Sequence, residues 1–270
     1  MLQGMPMPTE HEKPGFSFGQ GPSPEVLNYI KQKGWKIGFS YKDVWGDEHA
    51  FAFTVAKAME KDILVAIREA IEQAIENGIT FQQFKKDLTP TLQKLGWWGQ
   101  EMMKDPLTGE IIKAQLGSPR RLKAIYRANI RTARSAGQYQ RALRTKKALP
   151  YFIYELGPSE THRKEHEAMA GTVAEIEDPI WDVWMPSNGW GCKCRVRQIS
   201  AAEVKRRGLK IGTPTIDTVK WTNERTGEVL HVPKGIDPGW DNNPGKARAD
   251  VLAKKLADST KIFDQLEKPF

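Results

Sequence analysis

The chain has 270 residues, with 41 Lys and Arg against 33 Asp and Glu and a formal net charge of +8 at pH 7. Its 39% hydrophobic and 27% charged residues exclude a disordered chain, and its two cysteines exclude a disulfide scaffold. No apolar run is long enough to span a bilayer, and the opening MLQGMPMPTEHEKPG lacks the apolar centre of a secretory signal.

A soluble product of a reducing compartment is therefore expected, and its basicity favours an acidic partner such as nucleic acid. Residues 1–22, rich in Pro, Gly and polar side chains, read as a flexible arm. Ser23-Pro24 offers a helix N-cap and first turn, with a stop at Gly34. GWKIGFSYKDVWGDEHA reads as a packed aromatic loop. From about Glu48 to Asn77 apolar residues recur at spacings of three and four (Ala52, Val55, Ala56, Met59, Ile63, Ala66, Ile67, Ala70, Ala74), which predicts one long helix closed by Asn77-Gly78. Thr80-x-x-Gln83 resembles a capping box opening a short helix, and DPLTGE is a turn between two strand-like pieces.

Ser118-Pro119 starts a second long helix that should run to about Leu149, where Pro150 stops it. Leu122, Ile125, Tyr126, Ala133, Ala136 and Leu143 make its apolar face. The opposite face carries one sign only. Between 118 and 149 there is no Asp or Glu, and Arg120, Lys123, Arg127, Arg131, Arg134 and Arg141 fall within about 80° of one another at the helical angle. Arg121, Arg144, Lys146 and Lys147 add charge near the ends. A solvated helix face normally mixes signs for local pairing, so this face is a candidate surface for phosphates or an acidic partner, the alternative being a solvated or internally paired face.

After Pro150 come a strand (YFIYEL), a polar helical turn (ETHRKEHEAMAGTV), a second strand (CRVRQI), a short basic helix, a hairpin (VKWTNERTGEVLHV), a Gly/Pro loop (GIDPGWDNNPG) and an amphipathic C-terminal helix. Helices followed by a small mixed sheet make an α+β fold. The expected organisation is an arm (1–22), a predominantly helical domain (23–149), an α+β core closed by Cys-x-Cys (150–200), and a C-terminal hairpin, loop and helix (201–270).

Four potential metal ligands gather late in the chain: His162, His166, Cys192 and Cys194. If 160–168 is helical, the two imidazoles share a face, as zinc-binding pairs do. Against zinc, Cys-x-Cys has a tighter bite than the usual Cys-x2-4-Cys, and Arg163 and Lys164 repel a cation. The preferred reading is a structural closure: His166 hydrogen-bonded to backbone near the cysteines, Trp190 folded onto the core, and the strand after Val196 pairing beside YFIYEL. A Cys nucleophile with His166 and Glu167 has no accompanying oxyanion segment. No nucleotide-binding glycine motif occurs, and Asp237 and Asp241 fit a rigid turn better than a cation loop.

The succession of a basic helix ending in Pro, then THRKEHEAMAGTV, then DPIWDVWMPSNGWGCKCRV resembles the phage Mu F-like minor head protein family, also called the phage head morphogenesis family. His166, Gly171, Trp181, Pro186, Asn188, Gly189, Trp190, Cys192 and Cys194 fall on the family pattern. FTVAKAMEKDIL, LTPTLQKLGWWG, DPLTGE, QLGSPRRLKAIYRANIRTA and GIDPGWDNNPG extend the resemblance over nearly the whole chain. Two departures stand out: Lys193 replaces an Arg between the cysteines, and Arg163 stands where some relatives place a further Cys. The resemblance implies a non-enzymatic, few-copy virion protein of the capsid near the portal, passing through the host cytoplasm during assembly. Its implied partners are the portal protein, other head proteins and double-stranded DNA, in head assembly, packaging or ejection. It implies no cofactor, membrane or small-molecule substrate, with zinc as the alternative noted above. A toxin-like or hydrolytic effector using the His166/Cys192 region is the competing class. A host regulator is a third, but no helix-turn-helix frame is visible.

Overall fold

The structure, a computed structural model, describes residues 21–44 and 52–247. The expected N-terminal arm falls outside these up to residue 20, as does the expected C-terminal helix from residue 248 on.

Helix α1 (Pro24–Lys31) begins with Pro at its first position, but the Ser23 side chain caps nothing and instead accepts a hydrogen bond from Arg141. A two-residue strand β1 (Gly34–Trp35) pairs in parallel with β2 (Ala52–Phe53). Helix α2 covers only Lys61–Glu76, so the expected start near Glu48 is corrected by more than a dozen residues. Val55, on the expected apolar face, is buried in the same core as α2, so the helical spacing runs backwards through a segment that is not helical. That segment is held open by distant donors: Arg121 bonds Ala56 O at 2.6 Å, and Trp97 Nε1 bonds Lys57 O at 2.9 Å. Backbone carbonyls engaged this way are not available to a helix ladder.

Helix α3 (Phe81–Lys94) is capped by Thr80, which accepts from Gln83 N, and buries Phe84, Leu88 and Leu92 at intervals of four. The Gln83 side chain bonds Asp87, so the box is one-sided. Strands β3 (Gln100–Lys104) and β4 (Ile111–Gln115) form the hairpin around DPLTGE. Helix α4 (Pro119–Thr145) follows its Ser118 cap. Its 27 residues span two apolar cores. Leu122, Ile130, Ala133 and Ala136 pack with α1, α2 and α3, while Tyr139 and Ala142 pack with the later sheet.

That sheet is antiparallel, ordered β6 (Val173–Glu175), β5 (Tyr151–Glu155), β7 (Arg195–Ile199). The central strand buries Phe152, Ile153 and Tyr154 in succession, as a strand covered on both faces must. Gln138 of α4 donates to Val196 O at 2.7 Å and ties the long helix to β7. Two short helices, α5 (Lys164–Met169) and α6 (Ile180–Trp184), cover one face, and α7 (Ala201–Arg207) follows the Ser200 cap. A last hairpin, β8 (Thr218–Thr222) and β9 (Val229–Pro233), sends Arg225 into an ion-pair cluster with Asp43 and buried Asp105. The architecture is α+β. Among the described residues no helix is long and apolar enough to cross a membrane.

Candidate functional site

The centre of the second core is built from four pieces of chain. Strand β5 carries Tyr154, fully buried, one residue before its end, and the loop after it returns through α5, which points His166 and Met169 inward. Gly171, at φ +84°, makes the reversal that lets its N–H bond Tyr154 O at 2.9 Å. Residues 185–194 then close over the pair. Asn188 is fully buried and its Oδ1 accepts from the Tyr154 hydroxyl at 3.0 Å. Finally the GIDPGWDNNPG loop lies across the top, where Gly235 O accepts from His166 Nε2 at 2.9 Å and from Arg163 Nη1 at 3.1 Å.

Three donor atoms converge. His166 Nδ1 lies 3.4 Å from Cys194 Sγ and 4.0 Å from Cys192 Sγ, and all three lie within 4.8 Å of one another. Trp184 packs edge-on against the imidazole with ring centroids 5.6 Å apart. The two sulfurs share a proton unequally. The hydrogen bond from Cys192, helped by His166, Tyr154 and the Gly157 N–H, holds Cys194 well below the ordinary thiol range despite burial. The same bond, with burial, pushes Cys192 up. Burial pulls the His166 imidazole down, but the Cys194 sulfur and the Gly235 carbonyl outweigh it and its pKa rises. Burial and the neighbouring sulfur push the Tyr154 phenol up, so it stays protonated.

His162 does not join this group. Helix α5 begins at Lys164, so the two histidines do not share a helical face, and His162 Nε2 bonds Gly157 O at 2.9 Å. Glu167 is exposed, and the group that orients His166 is a backbone carbonyl. Asp237 serves as a turn anchor: its carboxylate lies 2.8 Å from Arg163 and accepts the Trp190 N–H at 2.7 Å. Trp190 is 49% exposed, against the expectation that it folds onto the core; it packs edge-on with Trp240 and Tyr41 instead. Trp181 and Pro186 are buried, and Trp181 Nε1 bonds Glu175 O. Gly189 sits at φ +155° directly beneath Asp237.

On α4, Arg120, Lys123, Arg127 and Arg134 are exposed, while Arg131 and Arg141 are half-buried. Arg141 is spent on Ser23 and Arg144 on Glu25. Arg121 is structural: it donates to Ala56, Gln115 and Leu116 carbonyls and stacks 4.9 Å from the Trp97 ring. A separate cavity of about 470 Å³, walled by Phe53, Ile125, Asn129, Trp190 and Trp240 among others, includes none of the three converging donors. Tyr154, Gly235 and Asp237 complete the site without a sequence signal of their own, beyond the turn-forming composition around the last two.

Residues 65–197 match the family described as phage Mu protein F like protein, an interval running from α2 to the end of the sulfur loop and into β7. The chain is 39% identical over 255 residues to the putative capsid assembly protein F of Escherichia phage Mu, covering 88% of this chain and 58% of that protein. It is 38% identical over 214 residues to the Mu-like prophage FluMu F protein of Haemophilus influenzae, covering 74% and 50% respectively. It thus spans between half and three-fifths of the length of these relatives. No solved structure matches it. Family match, relatives and motif agree, and the chain belongs to the phage Mu F-like protein family.

Proposed function

We propose that this chain is a capsid assembly protein of a tailed-phage head: a structural, few-copy component seated near the portal, with the exposed face of α4 turned toward packaged or entering DNA. The observation that carries the reading is the one-signed surface of α4 in a chain 39% identical to a protein named for capsid assembly. Arg120, Lys123, Arg127 and Arg134 stand exposed on that surface, and α4 itself carries no carboxylate to neutralise them. Phosphates of a duplex, spaced closely along its axis, are suited to such a row. Portal and other head proteins are the proposed protein partners, reached during assembly, packaging or ejection.

The test is duplex binding by the purified chain across a salt series. Each phosphate neutralised contributes a slope of about −0.9 in log K against log salt. Replacing Lys123, Arg127 and Arg134 with Gln should reduce that slope by roughly two to three units and leave the thermal melt unchanged. An unchanged slope would mean that α4 faces a protein, and the DNA part of the proposal would fall.

A further inference from the structure

We infer that His166, Cys192 and Cys194 form a metal site that takes a single zinc ion, bridging α5 to the loop that closes the second core. This is independent of the proposed role in head assembly.

The geometry comes first. Zinc bonds of about 2.3 Å to sulfur and 2.0–2.1 Å to imidazole nitrogen set tetrahedral N···S edges of roughly 3.6 Å. The observed edges, 3.4 and 4.0 Å, lie on either side of that value. On these two edges an ion needs shifts of only a few tenths of an ångström, and the two sulfurs lie within 4.8 Å of each other.

The tautomer is also right. Gly235 O can only accept, so His166 Nε2 carries the proton of that 2.9 Å hydrogen bond. In the neutral ring this leaves the Nδ1 lone pair facing both sulfurs. Metal-bound histidines are held in this way, with the far ring N–H given to a carbonyl or carboxylate.

The sulfurs are placed by the loop itself. The Cys192 N–H bonds Gly189 O at 3.2 Å, and both sulfurs face the imidazole, Cys194 Sγ at 3.4 Å and Cys192 Sγ at 4.0 Å from His166 Nδ1. Thiolate is the form that binds metal.

Charge no longer opposes the ion, as it does in the sequence. Arg163 is drawn to Asp237 and Gly235 O, and Lys164 points to solvent. With two thiolates and a neutral imidazole the loaded site has no net charge, so Arg163, paired with Asp237, faces no net cation there. Loading displaces the proton that the sulfurs otherwise share. Two soft sulfurs and one imidazole favour zinc over calcium or magnesium. Among the described residues no further His, Cys, Asp or Glu joins the group, which leaves the fourth position to water.

The experiment uses the full chain, purified under reducing conditions without chelator. Elemental analysis should find about one equivalent of zinc. Replacement by cobalt(II) should give the visible bands of a tetrahedral ion and a thiolate-to-cobalt charge-transfer band. That spectrum reads the donor set of the wild-type chain and depends on no variant folding. Cys192→Ser and Cys194→Ser should each abolish or strongly weaken it, and His162→Ala should leave it intact. A wild-type chain that holds no zinc and develops no thiolate–cobalt band on titration overturns the assignment. So does a band lost in His162→Ala, or one that survives in both cysteine variants.

Discussion

Replacing Gly189 with alanine places a methyl carbon 2.3 Å from Asp237 Oδ2 and 2.9 Å from Arg163 Nη1, on a residue whose φ is +155°. Two costs add. Backbone strain at a φ that side chains rarely adopt is worth about 1–3 kcal/mol. Asp237 must also move, because its carboxylate is held by Arg163 and by the Trp190 N–H. The half-exposed ion pair contributes at most about 1 kcal/mol, and the backbone hydrogen bond about 1 kcal/mol more. The sum is a loss of about 2–5 kcal/mol, and at roughly 2–4 °C per kcal/mol a chain of this size should melt about 4–20 °C lower. Gly171→Ala supplies the control. Its φ is +84°, yet nothing lies within 4 Å of the added carbon, so only backbone strain operates. Thermal melts followed by circular dichroism should rank wild type above Gly171→Ala above Gly189→Ala. If the two variants melt together, the close approach of Asp237 to Gly189 contributes nothing and the reasoning fails.

Arg121→Ala should destabilise by about 2–4 kcal/mol, since it orphans three carbonyls and uncovers Trp97; exposed Arg120→Gln should change the urea midpoint by less than about 0.5 kcal/mol. Arg225 holds the Asp105 carboxyl down to about 2, so that pair stabilises above the ordinary carboxylate range and its contribution is lost as pH falls from about 4 through 2. Urea midpoints across that window should drop less steeply in Asp105→Asn, with Glu203, also held at about 2, keeping part of the slope. In the metal-free chain Cys194 should alkylate before Cys192, since the hydrogen bond between them leaves the thiolate on Cys194; peptide mapping that finds Cys192 modified first would reverse the assignment of the shared proton.

Local chemistry is legible in one dimension. The Ser118 cap followed by Pro119, the one-signed face of α4, the DPLTGE turn and the α+β order all follow from spacing and residue type, because a helix or hairpin contacts mainly itself. The motif around Asn188, Gly189 and the two cysteines was likewise visible, through resemblance to the family. Where local pattern meets a distant partner, spacing misleads. Val55 and Ala56 keep a helical rhythm in a segment where the Ala56 and Lys57 carbonyls are taken by Arg121 and Trp97 from far along the chain.

The sulfur site turns on the same distinction. By itself the sequence determined which ligand types were available and that two of them lie one residue apart. It singled out His166 for a structural closure, but for a metal it kept both His162 and His166 as ligands, because excluding His162 depends on where α5 begins and on the Gly235 carbonyl 69 residues downstream of His166. Nor could it remove the objection of Arg163, whose charge is answered by Asp237 from the same distant loop. Only the tertiary structure, by laying the Gly235–Asp237 turn across the cysteine loop, decided which imidazole faces the sulfurs and which charges are already paired. Convergence of donor atoms is set by long-range packing, and no periodicity within the chain encodes it.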